Sequence, residues 1–151
     1  MNMQNKLLSL IPEYLPLGLV IYDKDGYLKY ANNIAFAMFG TTMEEVLDIN
    51  IFDDPNITAE DKSELKRGLN VSFETDYDFD LCGERFFNTG IKGARKYFVT
   101  KVTVMRGIDG DLQGYLLTCE DVTEKKEQER KIRSILVGDG KMLHCGDPIG
   151  Y

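Results

Sequence analysis

Tyr115-Leu116-Leu117-Thr118-Cys119-Glu120-Asp121-Val122-Thr123-Glu124 is the stretch on which the fold turns. Its first part alternates as a strand does, and a highly charged helical sequence, Lys125 to Leu136, follows with almost no slack. A strand therefore feeds straight into a helix that leaves the domain. Asp121 is placed to cap that helix, and Glu124, three residues on, to complete a capping box. A core that grips the strand is then able to push or twist the helix, which is the geometry of a signal output.

Working outward, Lys96 to Met105 reads as the preceding strand, joined to Leu112 to Glu120 by the turn Arg106-Gly107-Ile108-Asp109-Gly110-Asp111. From Val71 to Leu81 alternation is unbroken, with Val71, Phe73, Thr75, Tyr77, Phe79 and Leu81 on one face and Ser72, Glu74, Asp76, Asp78 and Asp80 on the other. That pattern predicts a half-buried strand of an antiparallel sheet with one acidic face. Cys82 to Gly93 reads as a loop. Near the other end, Leu17 to Tyr22 and Tyr27 to Tyr30 flank Asp23-Lys24-Asp25-Gly26, an opening hairpin. Between the two strand groups come short helices. Ile34 to Phe39 stops at Gly40, Met43 to Leu47 follows a Thr42/Glu45 capping box, and a third starts at Thr58 with Asp61, its Leu65 and Leu69 on one face. Two strands, several helices, three strands and an exit helix disfavour a parallel doubly wound sheet; a single antiparallel sheet with helices on one side, an α+β architecture, is expected.

With 151 residues, 43% hydrophobic and 28% charged, the chain has material for one domain with short appendages. A formal net charge of -7 argues against nucleic acid and anionic lipid as partners, because phosphate contacts need a positive field. Three cysteines, Cys82, Cys119 and Cys145, have no paired short spacing, so neither a disulfide framework nor a zinc ribbon is indicated and a reducing, cytoplasmic setting is expected. Leu7 to Val20 is apolar but interrupted by Pro12, Glu13 and Pro16; it is too short to cross ~30 Å of hydrocarbon, and no direct membrane insertion is expected. Four segments result: an amphipathic lead-in over 1–16, a domain over 17–121, an output helix over 122–136 and a tail, or the start of another domain, over 137–151.

Three features in order resemble a PAS domain, the sensory module of many signalling proteins: Leu17-Gly18-Leu19-Val20-Ile21-Tyr22-Asp23 through Gly26, the Tyr30-Ala31-Asn32 step into a helix ending at Gly40, and the closing Asp121-Val122-Thr123. The resemblance covers roughly Leu17 to Leu136. It implies a five-stranded antiparallel sheet in the order 2-1-5-4-3, short helices enclosing a cavity, homodimerisation through flanking helices, and a downstream effector such as a histidine kinase in a parent protein that is itself cytoplasmic or membrane-anchored. The chain itself is then expected to be non-catalytic, with Asp121, Val122 and Thr123 passing the signal on. By the same analogy a pocket for a small organic ligand would be walled by Phe36, Met38, Phe39, Phe73, Tyr77, Phe98, Thr100, Val102, Leu117 and Cys119, with Tyr77 and Thr100 as polar handles. The alternative is that these side chains fill a ligand-free core and the domain serves assembly.

Haem held by an internal histidine is disfavoured, since the single histidine is His144, beyond the exit helix. A flavin-cysteinyl photoadduct is disfavoured as well, because no cysteine sits in the Asn-Cys-Arg motif that this subgroup uses. His144, Cys145 and Asp147 make an incomplete ligand set, and Asp76, Asp78 and Asp80 lack the Gly and Glu that a calcium loop requires further on, so no metal is expected. Gly90-Ile91-Lys92-Gly93 precedes a strand in an acidic domain and reads as a turn, not an RNA clamp. No nucleophile, base and orienting group occur together.

Overall fold

The computed structural model describes residues 17–138. The lead-in expected over 1–16, the tail from 139 onward and the His144/Cys145/Asp147 group lie outside the described residues. The chain divides after Asp121 into two compact units.

In the first unit, β1 (Gly18–Asp23) and β2 (Leu28–Ala31) form the opening hairpin, followed by α1 (Asn33–Phe39), α2 (Met43–Val46), a 3-10 turn (Ile51–Asp53) and α3 (Ala59–Lys66). Then come β3 (Val71–Asp78), α4 (Phe79–Arg85), β4 (Arg95–Arg106) and β5 (Leu112–Asp121). The five strands form one antiparallel sheet in the order β2-β1-β5-β4-β3, the order the resemblance implied. Alternation works as the strand period requires: Phe98, Thr100 and Val102 on β4 and Tyr115, Leu117 and Cys119 on β5 are buried. The register sets Thr100 opposite Cys119, and Val102 opposite both Leu117 and Val71.

Asn32 carries the step from sheet to helix. It is fully buried, and its Oδ1 accepts from Leu19 N–H at 3.0 Å and from Ala35 N–H at 2.9 Å, while its Nδ2 donates to the Leu17 carbonyl at 2.9 Å. One carboxamide thus caps α1 and ties it to the start of β1. The helix ends at Gly40, whose φ of 64° is left-handed and closes the last turn with a bond to Phe36 O.

Several local expectations are corrected. The β3 strand stops at Asp78, because the Asp78 carboxylate accepts from Leu81 N–H at 3.0 Å and so starts α4 over residues read as strand and loop. Asp76 and Asp78 keep one solvent-exposed face of β3, with Arg95 3.2 and 4.0 Å away, whereas Asp80 leaves that face for α4 and accepts from Gly93 N–H at 3.2 Å. At α2 the Thr42 side chain makes no capping hydrogen bond, whereas Thr58 does cap α3 through Asp61 N–H at 3.1 Å. Leu65 is buried but Leu69 lies beyond α3 and is exposed.

In the second unit, α5 (Thr123–Gly138) runs two residues past the expected end. Its first bond is Lys126 N–H to Val122 O, which makes Val122, not Asp121, the capping position. Asp121 closes β5 opposite Phe98, its carboxylate 3.6 Å from Lys96 Nζ. Among the described residues no helix is long and apolar enough to cross a membrane.

Candidate functional site

The helices cover one face of the sheet and leave a cavity of about 50 Å³ between them. Its walls are chiefly aromatic and aliphatic. Of the ten residues that the resemblance assigned to a pocket, Phe36, Phe39, Phe73, Tyr77, Thr100 and Leu117 line it. Met38, Phe98, Val102 and Cys119 do not. Met38 is turned toward β1, where its sulfur would lie 2.8 Å from any Cβ added at Gly18. Phe98 lies against the rings of Phe39 and Tyr77, centroids 5.5 and 5.3 Å away. Val102 and Cys119 are fully buried in the packed sheet face, and the Thr100 hydroxyl donates to Cys119 Sγ at 3.6 Å. Burial pushes the Cys119 thiol up to about 12 and the Cys82 thiol upward too, so neither is a thiolate at neutral pH.

Besides Tyr77, Thr100 and Thr75, the polar lining of the cavity comes from residues that sequence reasoning did not assign to it: Tyr22, Thr41, Asp54 and Asn56. Asp54, in the loop after the 3-10 turn, is 7% exposed. Its carboxylate accepts from Asn56 N–H at 2.8 Å and makes no ion pair among the described residues. Burial pushes its pKa from 3.8 up to about 6; the Asn56 N–H bond and the field of Lys62 pull the other way. Tyr22 and Tyr77 are both raised, first by burial and then by the charge of Asp54. The Thr41 hydroxyl oxygen and Asn56 Nδ2 are buried without a hydrogen-bond partner. A buried carboxylate and two buried polar atoms awaiting partners, set in an aromatic wall, form a site with the chemistry to orient a small polar group. The signal for it in the sequence is slight: Asp53 and Asp54 are adjacent and chemically equal, yet only the second points inward.

Comparison with known proteins agrees with this architecture. A family model described as the PAS fold matches residues 13–127. No curated protein sequence matches the chain. Among solved structures, the PAS domain from Bordetella pertussis BvgS is similar at 19% identity and a TM-score of 0.57, over 91% of this chain and 99% of that one. A PAS domain from a two-component sensor histidine kinase is similar at 13% identity and 0.57, over 79% and 96%. The PAS domain of the fruit-fly ELK potassium channel is similar at 12% identity and 0.58, over 81% and 99%. At these identities the structural likeness speaks for the fold.

Proposed function

Because the chain belongs to the PAS fold family, we propose that it is a non-catalytic sensory module in which occupancy of the cavity biases the sheet and, through β5, the helix that follows. The observation that carries this reading is the path of β5. Leu117 forms part of the cavity wall, Cys119 accepts the hydroxyl of the wall residue Thr100, and Asp121 ends the strand immediately before Val122 and Thr123 open α5. A shift of the wall is thus delivered to the helix by covalent continuity within a few residues. For this to act as a switch, the stimulus must bind the two arrangements of the sheet unequally.

The effector we propose is a histidine kinase in a parent protein, in line with the kinase origin of one structural relative. The setting is cytoplasmic, supported by two free cysteines, Cys82 and Cys119, which suit a reducing compartment. Replacing Asp121 and Thr123 together with Ala in the intact signalling protein is expected to leave output insensitive to the stimulus. Regulation as in the unaltered protein would overturn the proposed route.

A second reading, a pairing module, is favoured by one observation on α5: Ile132, Ile135 and Leu136 share a helical face and are 58%, 61% and 53% exposed. Native mass spectrometry separates the two. A released small molecule supports the sensor, whereas a dimer with no extra mass supports assembly.

A further inference from the structure

We propose that the cavity is built for a short organic ammonium compound carrying a hydroxyl group, with Asp54 as its counter-ion. This rests on the sensory reading above and names the chemistry of its ligand.

The carboxylate decides the charge. Asp54 is 7% exposed, and its hydrogen-bond partner is one backbone N–H, that of Asn56 at 2.8 Å. A carboxylate has about four acceptor sites, so one N–H bond leaves most of the capacity of this cavity-lining group unused. A buried anion left unpaired is strongly unfavourable, and a cation is the group that relieves it. The lining holds no Lys, Arg or His, so an anionic ligand would meet like charge and no counter-charge. The aromatic walls, among them Phe36, Phe39, Phe73 and Tyr77, act in the same sense, since ring faces are negative and attract ammonium groups.

The second group follows from Asn56. Its Oδ1 accepts from Asp78 N–H at 3.3 Å, while its Nδ2 is buried and unpartnered. Turning the amide over would set an NH2 against the Asp78 N–H, so the orientation is fixed by the backbone. Nδ2 therefore offers a donor that an ammonium cannot accept and a ligand oxygen can. The orphaned Thr41 hydroxyl is able to take an ammonium N–H or serve the same oxygen. Size follows from the volume: about 50 Å³ is room for roughly four groups the size of water, at ~10–15 Å³ each.

The test is an amide NMR titration of the chain with three probes alike in length: 3-aminopropan-1-ol, propane-1,3-diol and 3-hydroxypropanoate. The amino alcohol is expected to shift the Thr41 and Asn56 amides saturably, with a Kd at least about tenfold below that of the diol and with no binding of the acid. In Asp54→Asn, which retains an acceptor for Asn56 N–H, the preference should vanish. Should that variant fail to fold, the unaltered chain supplies the same answer through pH. The groups that act on or are acted on by Asp54 are Lys62 on α3, Tyr22 on β1, Tyr77 on β3, Cys82 on α4 and Cys119 on β5, and the four tyrosine and cysteine groups all keep their protons. Among them Asp54 is the group that changes charge between pH 7.5 and 5, and affinity for the amino alcohol should fall about tenfold over that range. Equal binding of diol and amino alcohol, or a preference that survives in Asp54→Asn, overturns the cation and leaves the sensory cavity standing. If no probe shifts the cavity amides, the ligand class falls, and the sensory reading is decided separately by whether native mass spectrometry releases a small molecule.

Discussion

Removing the charge of Asp54 should stabilise this domain, and only above a definite pH. The folded state raises the carboxyl from 3.8 to about 6, mainly by burial. Because the folded value lies above the unfolded one, the folded chain binds more protons between them, and stability falls as pH rises through that window. Stability linked to the protonated acid is fully present below about 3.8 and lost above about 6. At about 1.4 kcal/mol per tenfold change in proton affinity, the ionised carboxylate costs the ligand-free fold roughly 3 kcal/mol at pH 7.5. Asp54→Asn keeps an oxygen for the Asn56 N–H bond but carries no charge. The variant should therefore be more stable than the parent by about 2–3 kcal/mol at pH 7.5, near 10 °C in Tm at roughly 4 °C per kcal/mol, and equal to it near pH 4. Urea titrations of both proteins at five pH values between 4 and 8 measure this directly. Other carboxylates titrate in both chains and cancel in the difference. A variant less stable than the parent at pH 7.5, or a difference that does not vary with pH, would refute the reasoning, since either means that the charge already has a partner.

Two further substitutions probe how the fold holds the cavity. Asn32→Ala strands the buried N–H groups of Leu19 and Ala35 and uncaps α1, and should cost about 2–4 kcal/mol in urea denaturation; a cost below about 1 kcal/mol would show that Asn32 is not the joint between hairpin and helix. Gly114→Ala drives a Cβ into the backbone carbonyl of Tyr22 where β1 and β5 pair, with rigid chain on both sides, so a loss of about 3 kcal/mol or more is expected. Thermal melts check it, and a neutral outcome would mean that β1 and β5 sit further apart than described.

Much of the sheet was readable because strands announce their buried face by a period of two. Phe98, Thr100 and Val102, or Tyr115, Leu117 and Cys119, leave one orientation that buries them. Periodicity cannot say which strand lies beside which, and the order β2-β1-β5-β4-β3 came from resemblance to a family. Alternation also failed at its own end. Phe79 and Leu81 continue the pattern of β3, but the Asp78 carboxylate satisfies a helix N-terminus there, and that bond outweighs the pattern. The reverse error occurs at Thr42, where the capping sequence is present and the cap bond is not. For the cavity, the resemblance supplied Phe73, Tyr77, Thr100 and Leu117 of the strand walls, whereas Phe98, Val102 and Cys119 share the buried face of the sheet without reaching the cavity. Its polar end was not legible, because the backbone between the 3-10 turn and α3 has no period from which to read direction.

The polar end also bears on how occupancy becomes a signal. An ionised Asp54, with Thr41 Oγ1 and Asn56 Nδ2 unpartnered, leaves the empty domain less stable than its apolar packing alone would make it. Domains of ordinary stability hold only about 5–15 kcal/mol in all, so roughly 3 kcal/mol at one site is a large fraction. A ligand that pairs the charge recovers that stability in the folded state and in no other, and the gain grows with occupancy by mass action. The groups that gain are not isolated from the sheet: Asn56 Oδ1 holds the N–H of Asp78 at the end of β3, Asp78 in turn starts α4, and β3 pairs with β4 along its length. A partner for Asn56 therefore steadies the junction of β3 and α4, while contact with Thr100 and Leu117 acts on β4 and β5. On the proposed sensory reading, the strands on either side of β4 would both feel one occupant, and the switch would then require that occupant to favour one arrangement of the sheet over the other.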